Sequence, residues 1–151
     1  MNKLLFLFII LFILFGAFIF YQFGNKTSSK MKTTSQITIN KNVFDVEIVK
    51  SDKDKQIGLT KYPSIATNQG MLFIFDQPGF YSFWMKNMKF PIDLIFIHND
   101  TVDFIVENAA PSKDDNPPSY TPDSSSDKVL EINSGLIKKY NIKKGDKTNL
   151  K

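Results

Sequence analysis

The sequence predicts a mainly β (α+β) domain, a compact barrel-like antiparallel sheet with one or two short helices, preceded by an N-terminal transmembrane helix. Three observations lead there. Through the centre of the chain, short apolar runs alternate with Gly, Pro, Asn and Asp turn residues. Met71 to Phe75 is apolar at every position, so this strand is covered on both faces, as in a barrel or a strongly folded sheet. Leu4 to Phe23 holds twenty residues without a charge, long enough to span a bilayer.

Gly16 and Ala17 are the small pair in that run, and more apolar sequence follows them, which favours an uncleaved anchor over a cleaved signal peptide. No Cys follows the run, which excludes a lipid-modified N-terminus. Residues 1–23 are therefore read as an anchor or uncleaved signal, 24–36 as a flexible Ser/Thr/Lys-rich tether and 37–151 as the globular β domain. Lys26, Lys30 and Lys32 argue for an inward domain by the positive-inside rule. A start-proximal anchor with a three-residue leader argues the other way, and the domain is expected outside the cytoplasm, or secreted if the segment is cleaved.

Ile37 to Val49 reads as a hairpin turned at Asn40-Lys41-Asn42. Ser51 and Asp54 resemble a capping box opening a short helix that Gly58 closes or packs tightly, and Leu59 to Gln69 reads as a connection. Next come GMLFIF, a type II turn at Gln77-Pro78-Gly79-Phe80, then YSFWMK, PIDLIFI, a turn at His98-Asn99-Asp100, and TVDFIVE; the simplest arrangement is an antiparallel meander. Ala109 to Lys128 carries four prolines and reads as a long loop. Val129 to Ile132 resumes as a strand, Asn133 or Ser134 caps a helix through Tyr140, Asn141 and Ile142 form a left-handed cap, and Lys144-Gly145-Asp146 is a final turn.

A chain of 151 residues, 42% hydrophobic, supports one domain with a real core. Its nineteen basic residues are all Lys and lie scattered, and the net charge is +4, which speaks against nucleic-acid binding. With no Cys and one His, thiol catalysis and multi-His zinc sites are ruled out, and no cofactor is expected. Asp114, Asp115, Asp123 and Asp127 in the long loop match no EF-hand spacing and read as a solvated acidic loop. His98 reads as a surface turn residue.

The candidate site residues are Trp84, Lys86, Asn87, Asp93 and Glu107. Trp84, Lys86, Asn87 and Asp93 interrupt an aromatic and aliphatic run from Phe80 to Phe96, and Glu107 closes the last meander strand. Taken singly, Trp84 is more readily a core or rim anchor than a stacking platform. Asp93, on the face of Ile95 and Ile97, needs a partner, and Lys86 or Asn87 is the nearest in sequence.

The blocks Gly58-Leu59, Gly70 to Phe75, Phe83 to Asn87, Pro91 to Ile97, Glu107 to Ala109, Val129 to Gly135 and Gly145-Asp146 resemble domain-of-unknown-function family 192, small bacterial and archaeal proteins often carrying an export signal. The resemblance runs from about Val43 to Asp146 and implies a compact, mainly β barrel-like domain with one or two short helices. Thr60 stands where the family often has Met, and the proline-rich loop lacks the cysteines of many members. Three functions are expected in order: a membrane-tethered domain binding a small or envelope-derived ligand at the Trp84/Lys86/Asp93 cluster; a hydrolase-like enzyme with Asp93 or Glu107 as general acid or base; and a structural or protein-interaction module with no ligand pocket.

Overall fold

The computed structural model describes residues 31–151 and, before them, only Phe12, Ile13 and Phe15. Most of the predicted anchor and of the tether lies outside the described residues, among which no helix is long and apolar enough to cross a membrane. Nine strands are described: β1 (Ser35–Ile39), β2 (Asn42–Val49), β3 (Gln69–Gly79), β4 (Phe83–Trp84), β5 (Ile92–His98), β6 (Thr101–Ala109), β7 (Ser119–Tyr120), β8 (Ser126–Asn133) and β9 (Thr148–Leu150). Helix α1 (Asp52–Ile57) runs into a 3-10 turn, Gly58–Lys61, and α2 is Leu136–Tyr140.

Seven strands form one sheet in the order β6-β5-β8-β3-β2-β1-β9, and β4 pairs with β7 beside it. The sheet curls into a half-barrel. One apolar cluster gathers Ile37 and Ile39 from β1, Leu72 from β3, Leu130 and Ile132 from β8, Ile95 and Ile97 from β5 and Val102 from β6, so strands far apart in the order share one interior. Near the β5–β6 turn the two edges meet: Val102 N–H donates to Asp146 O and Gly145 N–H to Val102 O, both at 2.8 Å. Such bonds occupy edge groups that would otherwise be open to pairing with other chains.

The opposite face is also buried. Met71 and Phe73 of β3, Leu94 and Phe96 of β5 and Val129 of β8 pack with Leu59, Tyr62 and Met85 into a second cluster. The two-sided burial expected for Met71 to Phe75 therefore holds for β5 and β8 as well. Edge-to-face ring pairs run through this outer core, Phe73 with Phe83 at 5.0 Å, Phe83 with Phe96 at 5.7 Å and Phe96 with Phe104 at 5.6 Å.

Several local readings hold. β1 and β2 pair antiparallel around Asn40, whose φ of 55° a short Asn side chain tolerates. Ser51 Oγ accepts from Asp54 N–H, and Gly58, at φ 52°, donates its N–H to Asp54 O and ends α1. Asn141 is left-handed, and Ile142 N–H returns to Ile137 O at 3.0 Å, with Ile142 buried against the inner core.

Of the meander only the last leg forms, the antiparallel β5–β6 hairpin. β2 and β3 are parallel, joined through α1, and β8 inserts between β3 and β5, so β3 never pairs with β4. The type II turn is absent as well, because β3 continues through Pro78 to Gly79, which pairs with Ser126 across an irregularity in the ladder. A proline lacks the N–H a regular ladder requires, and that irregularity accommodates it. The long loop is pinned midway by the pairs Phe83–Tyr120 and Trp84–Ser119, and β8 starts at Ser126, earlier than its apolar residues indicate. Neither Asn133 nor Ser134 caps α2: the cap position is Gly135, at φ 85°, and the capping oxygen comes from Asp93.

Candidate functional site

On the outer face, a cavity of about 360 Å³ opens between α1 with its 3-10 turn and the segment from Tyr81 to Met88. Its floor is sheet: Phe73 and Phe75 from β3 and Glu131 from β8. α1 contributes Asp52, Lys55 and Gln56, the 3-10 turn contributes Leu59 and Thr60, and the far wall holds Tyr81, Phe83, Trp84 and Lys86. Tyr81 stacks on Phe75 with ring centroids 3.5 Å apart and donates its hydroxyl to Gln77 O. The β4–β7 ladder and the Ser82–Thr121 hydroxyl pair, 2.7 Å apart, hold that wall against the proline-rich loop.

The sequence candidates divide. Trp84 and Lys86 line the cavity together. Trp84 is 65% exposed, so it is a rim residue and carries no core. Lys86 is half-exposed, with Nζ 3.9 Å from Asp115 Oδ1 and donating to Asp115 O at 3.4 Å. Asn87 lies outside the cavity lining; its φ of 61° turns the chain after Lys86, and its N–H donates to Ser112 O. Glu107 is exposed on β6, also outside the lining.

Asp93 lies on the other side of the sheet. It is fully buried, accepting the Asn108 N–H at 2.9 Å on Oδ1 and the Ile137 N–H at 2.8 Å on Oδ2. The expected pairing with Lys86 or Asn87 is therefore absent: its partners are backbone amides, one at a left-handed Asn108 in β6 and one in the first turn of α2. Ser134 Oγ donates to Asn108 Oδ1 at 2.8 Å and extends the network. A carboxylate fits there because two orphan amides and the positive end of a helix supply what water would.

Glu131, not among the sequence candidates, is a buried carboxyl that does face the cavity. It is 6% exposed and registers between Met71 and Leu94 on the outer face. Among the described residues, nothing hydrogen-bonds to its Oε2. Burial pushes its carboxyl up to about 8, because the ionised form has lost its water without gaining a donor. The sequence signal was weak: the alternation Leu130-Glu131-Ile132-Asn133 reads as a one-sided strand with Glu131 toward solvent.

The lysines of the cavity already have partners. Lys55 Nζ is 3.7 Å from Asp52 Oδ1 and 4.7 Å from the centroid of the Phe75 ring, and Lys86 is beside Asp115. The site thus combines aromatic walls, two lysines loosely paired with exposed carboxylates and, among the described residues, one buried carboxyl without a donor.

Residues 35–150 match the model of the DUF192 family, described as an uncharacterized ACR. No curated relative matches the chain. Among solved structures, a protein of unknown function from Novosphingobium aromaticivorans is 27% identical with a TM-score of 0.72, over 83% of this chain and 94% of its own. One from Sinorhizobium meliloti, described as a candidate transcription regulator, is 26% identical with a TM-score of 0.72, over 80% of this chain and 97% of its own.

Proposed function

The chain belongs to the DUF192 family. From the outer-face cavity and the apolar N-terminal run we propose that it is a small-ligand-binding domain, held at the outer surface of a membrane by its N-terminal segment. The observation that carries this reading is the cavity itself: apolar and aromatic walls with a few converging polar groups are the usual composition of a small-molecule site. Trp84 offers a ring face at the rim, Lys86 a cation beside it and Glu131 a carboxyl at the floor. Tethering rests on the apolar run from Leu4 to Phe23. The regulator description of the Sinorhizobium neighbour is not carried over, since this chain's scattered lysines and lack of Arg make a poor nucleic-acid surface.

The test is thermal unfolding of the full-length chain in nonionic detergent against sugars, peptidoglycan fragments, nucleotides and small amines, beside Trp84→Ala. A compound that raises the melting temperature of the wild type and not of Trp84→Ala supports the site, because a ligand stabilises a protein only by preferring its native state. If every stabilising compound acts equally on both proteins, the cavity is not the site.

One observation favours a second reading, an enzyme. A carboxyl held protonated near neutral pH inside a cavity is suited to general acid catalysis. That role would fall to Glu131, since neither Asp93 nor Glu107 reaches the cavity. Product formation from a stabilising ligand, lost in Glu131→Gln, would establish it.

A further inference from the structure

We propose that the cavity takes a ligand bearing a primary or secondary ammonium group on an apolar body, with the ammonium donating to Glu131 and the body lying against Phe73, Phe83 and Trp84. This rests on the ligand-binding reading above and names its ligand class. Asp52 and Asp115 each sit beside a cavity lysine, whereas Glu131 Oε2 has no donor among the described residues. A buried acceptor left alone is costly, and the group that best relieves it is a charged donor. Phe73, Phe83 and Trp84 present rings to the same space, and ring faces attract cations while repelling anions. The titratable groups facing Glu131 across the cavity are Asp52 and Lys55 from α1, Tyr81, and Lys86 after β4; on its own sheet, β3 and β5 bring only Met71 and Leu94 beside it.

Binding is then linked to a proton. The free protein holds Glu131 as the neutral acid at neutral pH, and an arriving ammonium keeps its own proton, so the carboxyl proton leaves to solvent as the ion pair forms. Affinity rises with pH until Glu131 is ionised in the free protein, and falls again when the amine loses its own charge.

The experiment uses matched probes on the full-length chain: phenethylamine, benzylamine and cyclohexylmethylamine, each beside its neutral alcohol and its carboxylate counterpart. Trp84 fluorescence reports occupancy of the cavity, and calorimetry in buffers of different ionisation enthalpy counts protons. Amines are expected to bind about tenfold or more tighter than the alcohols and to release roughly one proton each at pH about 6.5. In Glu131→Gln both the preference and the release disappear while the fold persists. The proposal is overturned if no amine binds, if the alcohols or carboxylates bind as well as the amines, or if wild-type binding releases no proton. Alcohols or carboxylates that shift Trp84 fluorescence when amines do not would overturn the ligand class and leave the cavity standing as a site. Silence from every probe and from the wider thermal panel would remove both.

Discussion

The backbone N–H of Ile137 donates to Asp93 Oδ2 at 2.8 Å, joining β5 to the first turn of α2 across 44 residues of sequence. A carboxylate deep in the inner core thus replaces the local cap that Asn133 and Ser134 do not supply. Its other oxygen holds Asn108, so one side chain fixes β6, β5 and α2 together.

Asp93→Asn is expected to lower unfolding stability by about 2 to 4 kcal/mol, since an amide turns a donor toward an N–H and the charge-assisted bonds are lost. Urea unfolding would measure it. A variant as stable as the wild type would show that Asp93 does not hold this corner of the fold.

Glu131 makes the opposite contribution. Its folded-state value near 8 lies above the 4.5 of an ordinary carboxyl. Between those pH values the native state keeps a proton that the unfolded chain releases, so stability falls as pH rises through this window and levels off above it. The total is on the order of 5 kcal/mol at most, at 1.36 kcal/mol per unit. Glu131→Gln should flatten that stretch of the curve of melting temperature against pH; an unchanged slope would mean that Glu131 ionises normally.

Trp84→Ala is expected to change stability by under about 1 kcal/mol, because the ring is mostly exposed. Its effect should appear in ligand-induced stabilisation instead. Large destabilisation with ligand response intact would make Trp84 a structural anchor after all.

Gly70 offers a packing test. A Cβ there would lie 2.7 Å from Glu131 O and 2.9 Å from Ile132 Cγ2, so Gly70→Ala has to push β3 off β8. A loss of about 2 kcal/mol or more is expected from such overpacking, read from denaturant midpoints. No loss would show that these central strands yield easily.

How much of this was legible depended on sequence distance. The Asn40 turn, the Ser51 cap and the Asn141-Ile142 cap close within a few residues and are spelled out locally. The parallel β2–β3 pair and the insertion of β8 depend on partners far along the chain, and no local pattern specifies them. Pro78-Gly79 shows the override directly: the pair carries turn chemistry, yet Ser126 recruits Gly79 into a ladder. Asp93 was legible as a buried group in need of a partner, but its partners are backbone amides, which carry no residue signature. The cavity was half legible: Trp84 and Lys86 stand out against their neighbours, whereas Glu131 sits in VLEIN like a solvent-facing residue of a one-sided strand.

The central strands β3, β8 and β5 form a wall common to two cores, with Leu72, Leu130 and Ile95 on one side and Met71, Val129 and Leu94 on the other. Neither core can open while the other keeps that wall in place, because the backbone they share would have to stay paired and come apart at once. Amide exchange should divide the molecule accordingly. Protons on these three strands should exchange only with global unfolding, as one cooperative unit, while those of β4, β7 and the loop between them exchange through smaller openings. The cavity would then have one wall that cannot yield short of unfolding and one that can, and a ligand would enter by moving the second against the first.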